Sequence, residues 1–101
     1  MHKNKEIHIT YIGRLEKEKG IEIVISCIKR AIIEERKIIW HICGKGSYME
    51  TLQNIKHSHL KVYGHLDKAN LDAVLGKTDL VIMPSLFLET FGLVGLETLS
   101  H

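Results

Sequence analysis

Proline occurs once, cysteine twice, and aromatic residues make up only 6% of the 101 residues. Such a composition excludes a proline-rich disordered or fibrous chain and a disulfide-stapled scaffold. Cys27 and Cys43 fall in apolar segments without CxxC spacing, so both are expected as buried thiols rather than as a zinc site. Long apolar runs are also missing. The longest, Leu80 to Met83, has four residues and stops at Pro84, against the roughly 20 that a membrane helix needs. The start Met1-His2-Lys3-Asn4 is polar and unlike a secretory signal, and the expected location is the cytoplasm. Charge of one sign is scarce too: 14 Lys+Arg stand against 12 Asp+Glu, for a formal net charge of +2. With Lys and Glu interspersed, the basic footprint of a nucleic-acid binder is lacking, and no nucleic-acid partner is expected. What the chain does have is 45% hydrophobic residues, enough for one compact domain over residues 1–101 and too little chain for two.

The apolar periodicity alternates between short and long units, the pattern of strands and helices wound around a parallel sheet. Strands are predicted at Ile7–Ile12, Ile38–Cys43, Leu60–Tyr63 and Leu80–Met83. The first helix carries apolar residues at Ile21, Val24, Ile25, Ile28 and Ile32, a helical spacing. In the second, Ser47 and Glu50 form a capping box for a helix through Lys56. Asp67 caps a third helix from Lys68 to Leu75, and a fourth begins near Phe91-Gly92 and runs to His101. Four βα units with right-handed crossovers give an α/β, Rossmann-like, doubly wound parallel sheet of order 3-2-1-4. In such sheets ligands bind where the strand order reverses, so the segments after strands 1 and 4 become the candidate site.

The segment after strand 1 is Gly13-Arg14-Leu15-Glu16-Lys17-Glu18-Lys19-Gly20, and that after strand 4 is Pro84-Ser85-Leu86-Phe87-Leu88-Glu89-Thr90-Phe91-Gly92. The first places two cations, Arg14 and Lys19, between glycines, and the second ends in a glycine at a helix N-terminus, which favours an anion. A phosphate or diphosphate is the simplest ligand; a solvated loop of alternating charge is the alternative reading of residues 16–19. Arg14, at the end of a central strand, suits a bidentate phosphate contact. Glu89 and Glu97 flank the last helix start. Carboxylates beside a diphosphate repel it unless they accept from hydroxyls, so their presence suits a sugar nucleotide; an exposed helix glutamate is the alternative for Glu97. Gly44-Lys45-Gly46-Ser47 lacks P-loop spacing, and Met49 stands where a dinucleotide fingerprint needs its third glycine. Gly44 and Gly46 either let the turn approach a nucleotide or serve a structural turn. His57 and His59 read as loop histidines, since no further metal ligands accompany them. His8 and His41, in strands, read as neutral, hydrogen-bonded core histidines, and Trp40 and Tyr63 as core.

Taken together, Gly13-Arg14-Leu15 with Glu18-Lys19-Gly20, then Gly44-Lys45-Gly46, Val62-Tyr63-Gly64, and Pro84-Ser85 with Glu89, Phe91-Gly92 and Glu97, resemble the C-terminal domain of group 1 glycosyltransferases, the retaining family 4 enzymes of GT-B fold. The resemblance covers nearly the whole chain in the right order. It implies the donor-binding part of an enzyme that transfers a hexose from a UDP or GDP carrier, without a metal or other cofactor. It further implies that Arg14 and Lys19 neutralise the diphosphate and that Glu89 holds the donor sugar with the backbone around Phe91, Gly92 and Leu93. Glu97 would accept from the ribose, and the backbone at Gly64, His65 and Leu66 would lie beside the base. The N-terminal acceptor lobe of such enzymes has no counterpart here. This chain is therefore expected to be inactive alone and to need that lobe, in cis or as a partner subunit, which is also where any peripheral membrane association would reside. A non-catalytic nucleotide-sugar-binding or scaffold module paired with a separate acceptor lobe is the alternative.

Overall fold

The structure, a computed structural model, describes residues 5–17 and 20–83. Strands β1 (Ile7–Ile12), β2 (Ile38–Cys43), β3 (Leu60–Gly64) and β4 (Leu80–Ile82) alternate with helices α1 (Ile21–Ile33), α2 (Met49–Gln53) and α3 (Lys68–Leu75). The sheet has the order β3-β2-β1-β4. Its pairings are parallel, with Ile9 opposite Trp40 and Tyr11 opposite both Ile42 and Ile82. This is the expected doubly wound Rossmann-like arrangement. Among the described residues no helix is long and apolar enough to cross a membrane.

Strand residues alternate between two faces, and the two differ in chemistry. Tyr11, Trp40 and Ile42, with Ile9, Val62 and Ile82 beside them, pack against Ile21, Val24, Ile25, Ile28 and Ala31 of α1 and Leu52 of α2. The other face carries Thr10 and His41, both fully buried, with Ile39 and Cys43. There His41 Nδ1 lies 2.7 Å from the Tyr63 hydroxyl and His41 Nε2 lies 2.8 Å from His8 Nδ1. The Thr10 and Thr78 hydroxyls share a 2.5 Å hydrogen bond, and Thr78 Oγ1 also bonds the Val74 carbonyl at 2.8 Å, tying the end of α3 to this face. His41 is thus the buried, hydrogen-bonded core histidine expected, whereas His8 is only half-buried. Tyr63 is likewise half-buried, on the polar face rather than in the apolar core.

Three further expectations are corrected. Cys27 is exposed, because it lies on the outer side of α1 while Val24, Ile28 and Ala31 face the sheet; Cys43 is buried as expected. Ser47 does not cap α2: the N-cap is Tyr48, without a side-chain hydrogen bond, because the Ser47 hydroxyl donates to Glu16 instead. Helix α2 ends at Gln53 rather than Lys56, whose φ of 48° is left-handed and cannot continue a helix. Asp67 does cap α3, its carboxylate accepting from the Asn70 N–H at 2.8 Å.

Candidate functional site

Parallel strands deliver all their carboxyl ends to one edge of the sheet, and the turns leaving them must share that edge. Here the turns after β1, β2 and β3, with Leu71 of α3, enclose a crevice of about 570 Å³. Gly13, Arg14 and Glu16 line it from the first turn, Gly44, Lys45 and Gly46 from the second, and His65 and Leu66 from the third.

The first two turns are joined closely. Gly13 N–H donates to the Cys43 carbonyl at 3.1 Å, Leu15 N–H to the Lys45 carbonyl at 2.9 Å, and Tyr48 N–H to the Leu15 carbonyl at 3.0 Å. Such proximity requires glycine. A Cβ on Gly44, whose φ is 149°, would drive into the Gly13 carbonyl oxygen, and one on Gly46 into the Leu15 carbonyl. Both glycines therefore serve the packing of one turn on another, and the backbone they keep bare also faces the crevice. Gly44 N–H continues the chain of turns by donating to the Gly64 carbonyl at 2.7 Å.

Arg14 is held from beneath. Tyr11, fully buried, donates its hydroxyl to the Arg14 carbonyl at 2.8 Å, and burial pushes the Tyr11 phenol above its ordinary pKa. The exposed Arg14 side chain makes no hydrogen bond or ion pair among the described residues. A guanidinium fork left open at the mouth of a crevice can grip two phosphate oxygens at once. Lys45 adds a second cation to the lining. Glu16 is the lining's carboxylate. It accepts from the Ser47 hydroxyl at 2.7 Å and the Ser47 N–H at 3.2 Å, and these bonds, with Arg14 nearby, hold it below the usual carboxylate range.

Of the residues singled out from sequence, Gly13, Arg14, Gly44, Gly46, His65 and Leu66 are brought together here, with Gly64 bonded to the rim. Lys19, Glu89, Phe91, Gly92, Leu93 and Glu97 lie outside the described residues. Lys45, Glu16 and Tyr11 were not singled out. Lys45 was legible as the charged residue between two glycines at a strand end, whereas the Glu16 to Ser47 contact joins turns 31 residues apart and has no local signal. His57 and His59 lie elsewhere, beside Glu6 and Lys37. The His57 Nδ1 accepts from the His59 N–H at 3.0 Å. Among the described residues no group of three or more His, Cys, Asp or Glu is placed to hold a metal ion.

Residues 1–100 match the family "Glycosyl transferases group 1". The chain is 37% identical over 94 residues to a glycogen synthase of Mycobacterium tuberculosis, covering 88% of this chain and 22% of that protein. It is 32% identical over 93 residues to an uncharacterized 41.2 kDa protein in the cps region of Klebsiella pneumoniae, covering 92% of this chain and 25% of that protein. An uncharacterized glycosyltransferase of Methanocaldococcus jannaschii is 30% identical over 97 residues, covering 91% and 24%. The chain thus spans about a quarter of the length of the curated relatives it matches. No solved structure matches it significantly. With this match over nearly every residue, and with its glycine turns and Arg14 gathered at one edge of a 3-2-1-4 sheet, the chain belongs to the group 1 glycosyltransferases.

Proposed function

We propose that this chain is the donor-binding part of a retaining, two-lobed GT-B glycosyltransferase, and that its crevice takes a UDP- or GDP-hexose without a metal. The observation that carries this reading is the crevice itself. An open guanidinium at Arg14 and the ammonium of Lys45 line it together with the bare backbone of Gly13, Gly44 and Gly46. Close backbone approach and local positive charge suit a diphosphate, and the turn at His65 and Leu66 offers backbone beside it for a base. As the bond between the sugar's anomeric carbon and the diphosphate oxygen breaks, charge accumulates on the departing nucleoside diphosphate, and preplaced cations stabilise that leaving group. Arg14, which lines the crevice, is the cation proposed for this role. Lys19, Glu89, Glu97 and the backbone at Phe91, Gly92 and Leu93 complete the site by the family pattern, binding diphosphate, sugar and ribose. An acceptor lobe, in cis or as a partner subunit, binds the second substrate, and any peripheral membrane association goes with it; the cytoplasm is the proposed location.

Calorimetric titration with UDP, GDP and their hexose conjugates tests this. Binding should depend on the diphosphate, and Arg14→Ala or Lys19→Ala should weaken it by about tenfold to a hundredfold, the equivalent of one lost charge-assisted contact. A folded sample that gives no heat with any of these compounds overturns the reading. Transfer of hexose should appear only when the acceptor lobe is supplied.

A further inference from the structure

The turn that carries Arg14 is anchored at almost every residue, but the anchors differ in kind. Gly13 and Leu15 are tied through backbone groups and the Arg14 carbonyl through the Tyr11 hydroxyl. The outermost anchor joins the Glu16 carboxylate to Ser47, which donates both its hydroxyl, at 2.7 Å, and its N–H, at 3.2 Å. This bond lies at the exposed rim, where a side chain has little else to hold it. Ser47 directly follows Lys45-Gly46 and would otherwise be free to cap α2, whose N-terminus lacks a side-chain cap. The sequence therefore forgoes a helix cap and commits the hydroxyl to the opposite turn.

We infer that Glu16 is a positioning residue: gripped by Ser47, its carboxylate latches the turn after β1 to the turn after β2 and so holds Arg14 and Lys45 around one crevice for a diphosphate. The inference rests on the donor-binding reading above. It accounts for a carboxylate in the lining of a site for anions. Repulsion alone would make Glu16 a defect, and a latch makes it useful, because both carboxylate oxygens are occupied by Ser47 donors and its charge is partly met by Arg14. A loop held in its binding conformation in advance loses less freedom when the ligand arrives.

The two roles predict opposite signs, which makes the test direct. Affinity for UDP, GDP and inorganic pyrophosphate is measured on the full chain and on Glu16→Ala, Ser47→Ala, Ser47→Thr and the Glu16→Ala/Ser47→Ala double variant. In parallel, hydrogen exchange is followed at the Leu15 and Tyr48 amides, which bridge the two turns. A latch predicts that Glu16→Ala and Ser47→Ala each weaken binding by on the order of fivefold to tenfold. The double variant is then no worse than either, the bridging amides exchange faster, and Ser47→Thr, which keeps the hydroxyl, restores both readouts. If Glu16→Ala tightens binding while Ser47→Ala leaves it unchanged, Glu16 merely repels the anion and the latch is refuted with the donor-binding reading intact. Equal affinity in every variant refutes it in the same way. If the parent chain binds none of the three compounds, the donor-binding reading fails first and the positioning role falls with it.

Discussion

At the scale of single residues, the candidate site depends on atoms that are absent. Gly44 and Gly46 have no Cβ where the Gly13 and Leu15 carbonyls pass. Gly46→Ala should therefore destabilise the fold by about 2–4 kcal/mol, since backbone rather than a flexible side chain must give way. Gly44→Ala should cost at least as much, because its φ of 149° adds conformational strain. Urea denaturation with an unchanged m-value checks both. Tyr11→Phe is milder: it removes the hydrogen bond to the Arg14 carbonyl while keeping the buried ring, and should cost about 1 kcal/mol. These glycines were legible in the sequence as turn residues at strand ends. The carbonyls that make them obligatory belong to a segment some thirty positions earlier, and no local pattern reports such a meeting. The exposure of Cys27 was hidden for a related reason: Ile23 on the same helix is 71% exposed, so an apolar residue in α1 does not by itself mark the buried side.

At the scale of elements, strand limits were the most legible feature. β1 and β2 occupy the predicted residues, because each is a short, isoleucine-rich segment cut off by a glycine turn. Helix starts were less so, since a capping residue has competing uses. Asp67 and Ser47 both have the residue type of an N-cap, yet Asp67 caps α3 and Ser47 binds Glu16. Two substitutions separate these uses. Asp67→Ala should cost about 1 kcal/mol by exposing an uncapped N–H of α3. Ser47→Ala should leave the stability of α2 unchanged, because that helix never used the hydroxyl. Thermal melts compare the two, and residue-resolved exchange at Asn70 shows whether the first loss is local.

At the scale of the whole molecule, the two faces of the sheet respond unequally to pH. Among the described residues, the titratable side chains packed on the apolar face are the phenols of Tyr11 and Tyr48. The other face buries His41 between His8 and Tyr63, and burial, followed by the like charge of His8, Lys77 and Lys61, pushes the His41 imidazole down to about 4. A neutral His41 fits the contacts, because a neutral imidazole offers one donor and one acceptor nitrogen, one for the Tyr63 hydroxyl and one for His8 Nδ1. The unfolded chain, by contrast, takes up the proton near the ordinary histidine value of about 6.5. Above that pH neither state binds the proton and the native state loses nothing. As pH falls from about 6.5 toward 4, the unfolded state gains a proton that the folded state refuses, so stability drops progressively, by on the order of 2 kcal/mol. Guanidinium melts between pH 7 and pH 4 should show the loss, and His41→Gln, which cannot titrate, should flatten the profile over that interval even if its stability at pH 7 is lower. A profile as steep in His41→Gln as in the parent would assign the acid sensitivity to other groups. The polar face would then be a set of satisfied hydrogen bonds without a titrating centre. If the slope does belong to His41, mild acid weakens the sheet beneath β1 and β2, the two strands whose turns carry Arg14 and Lys45.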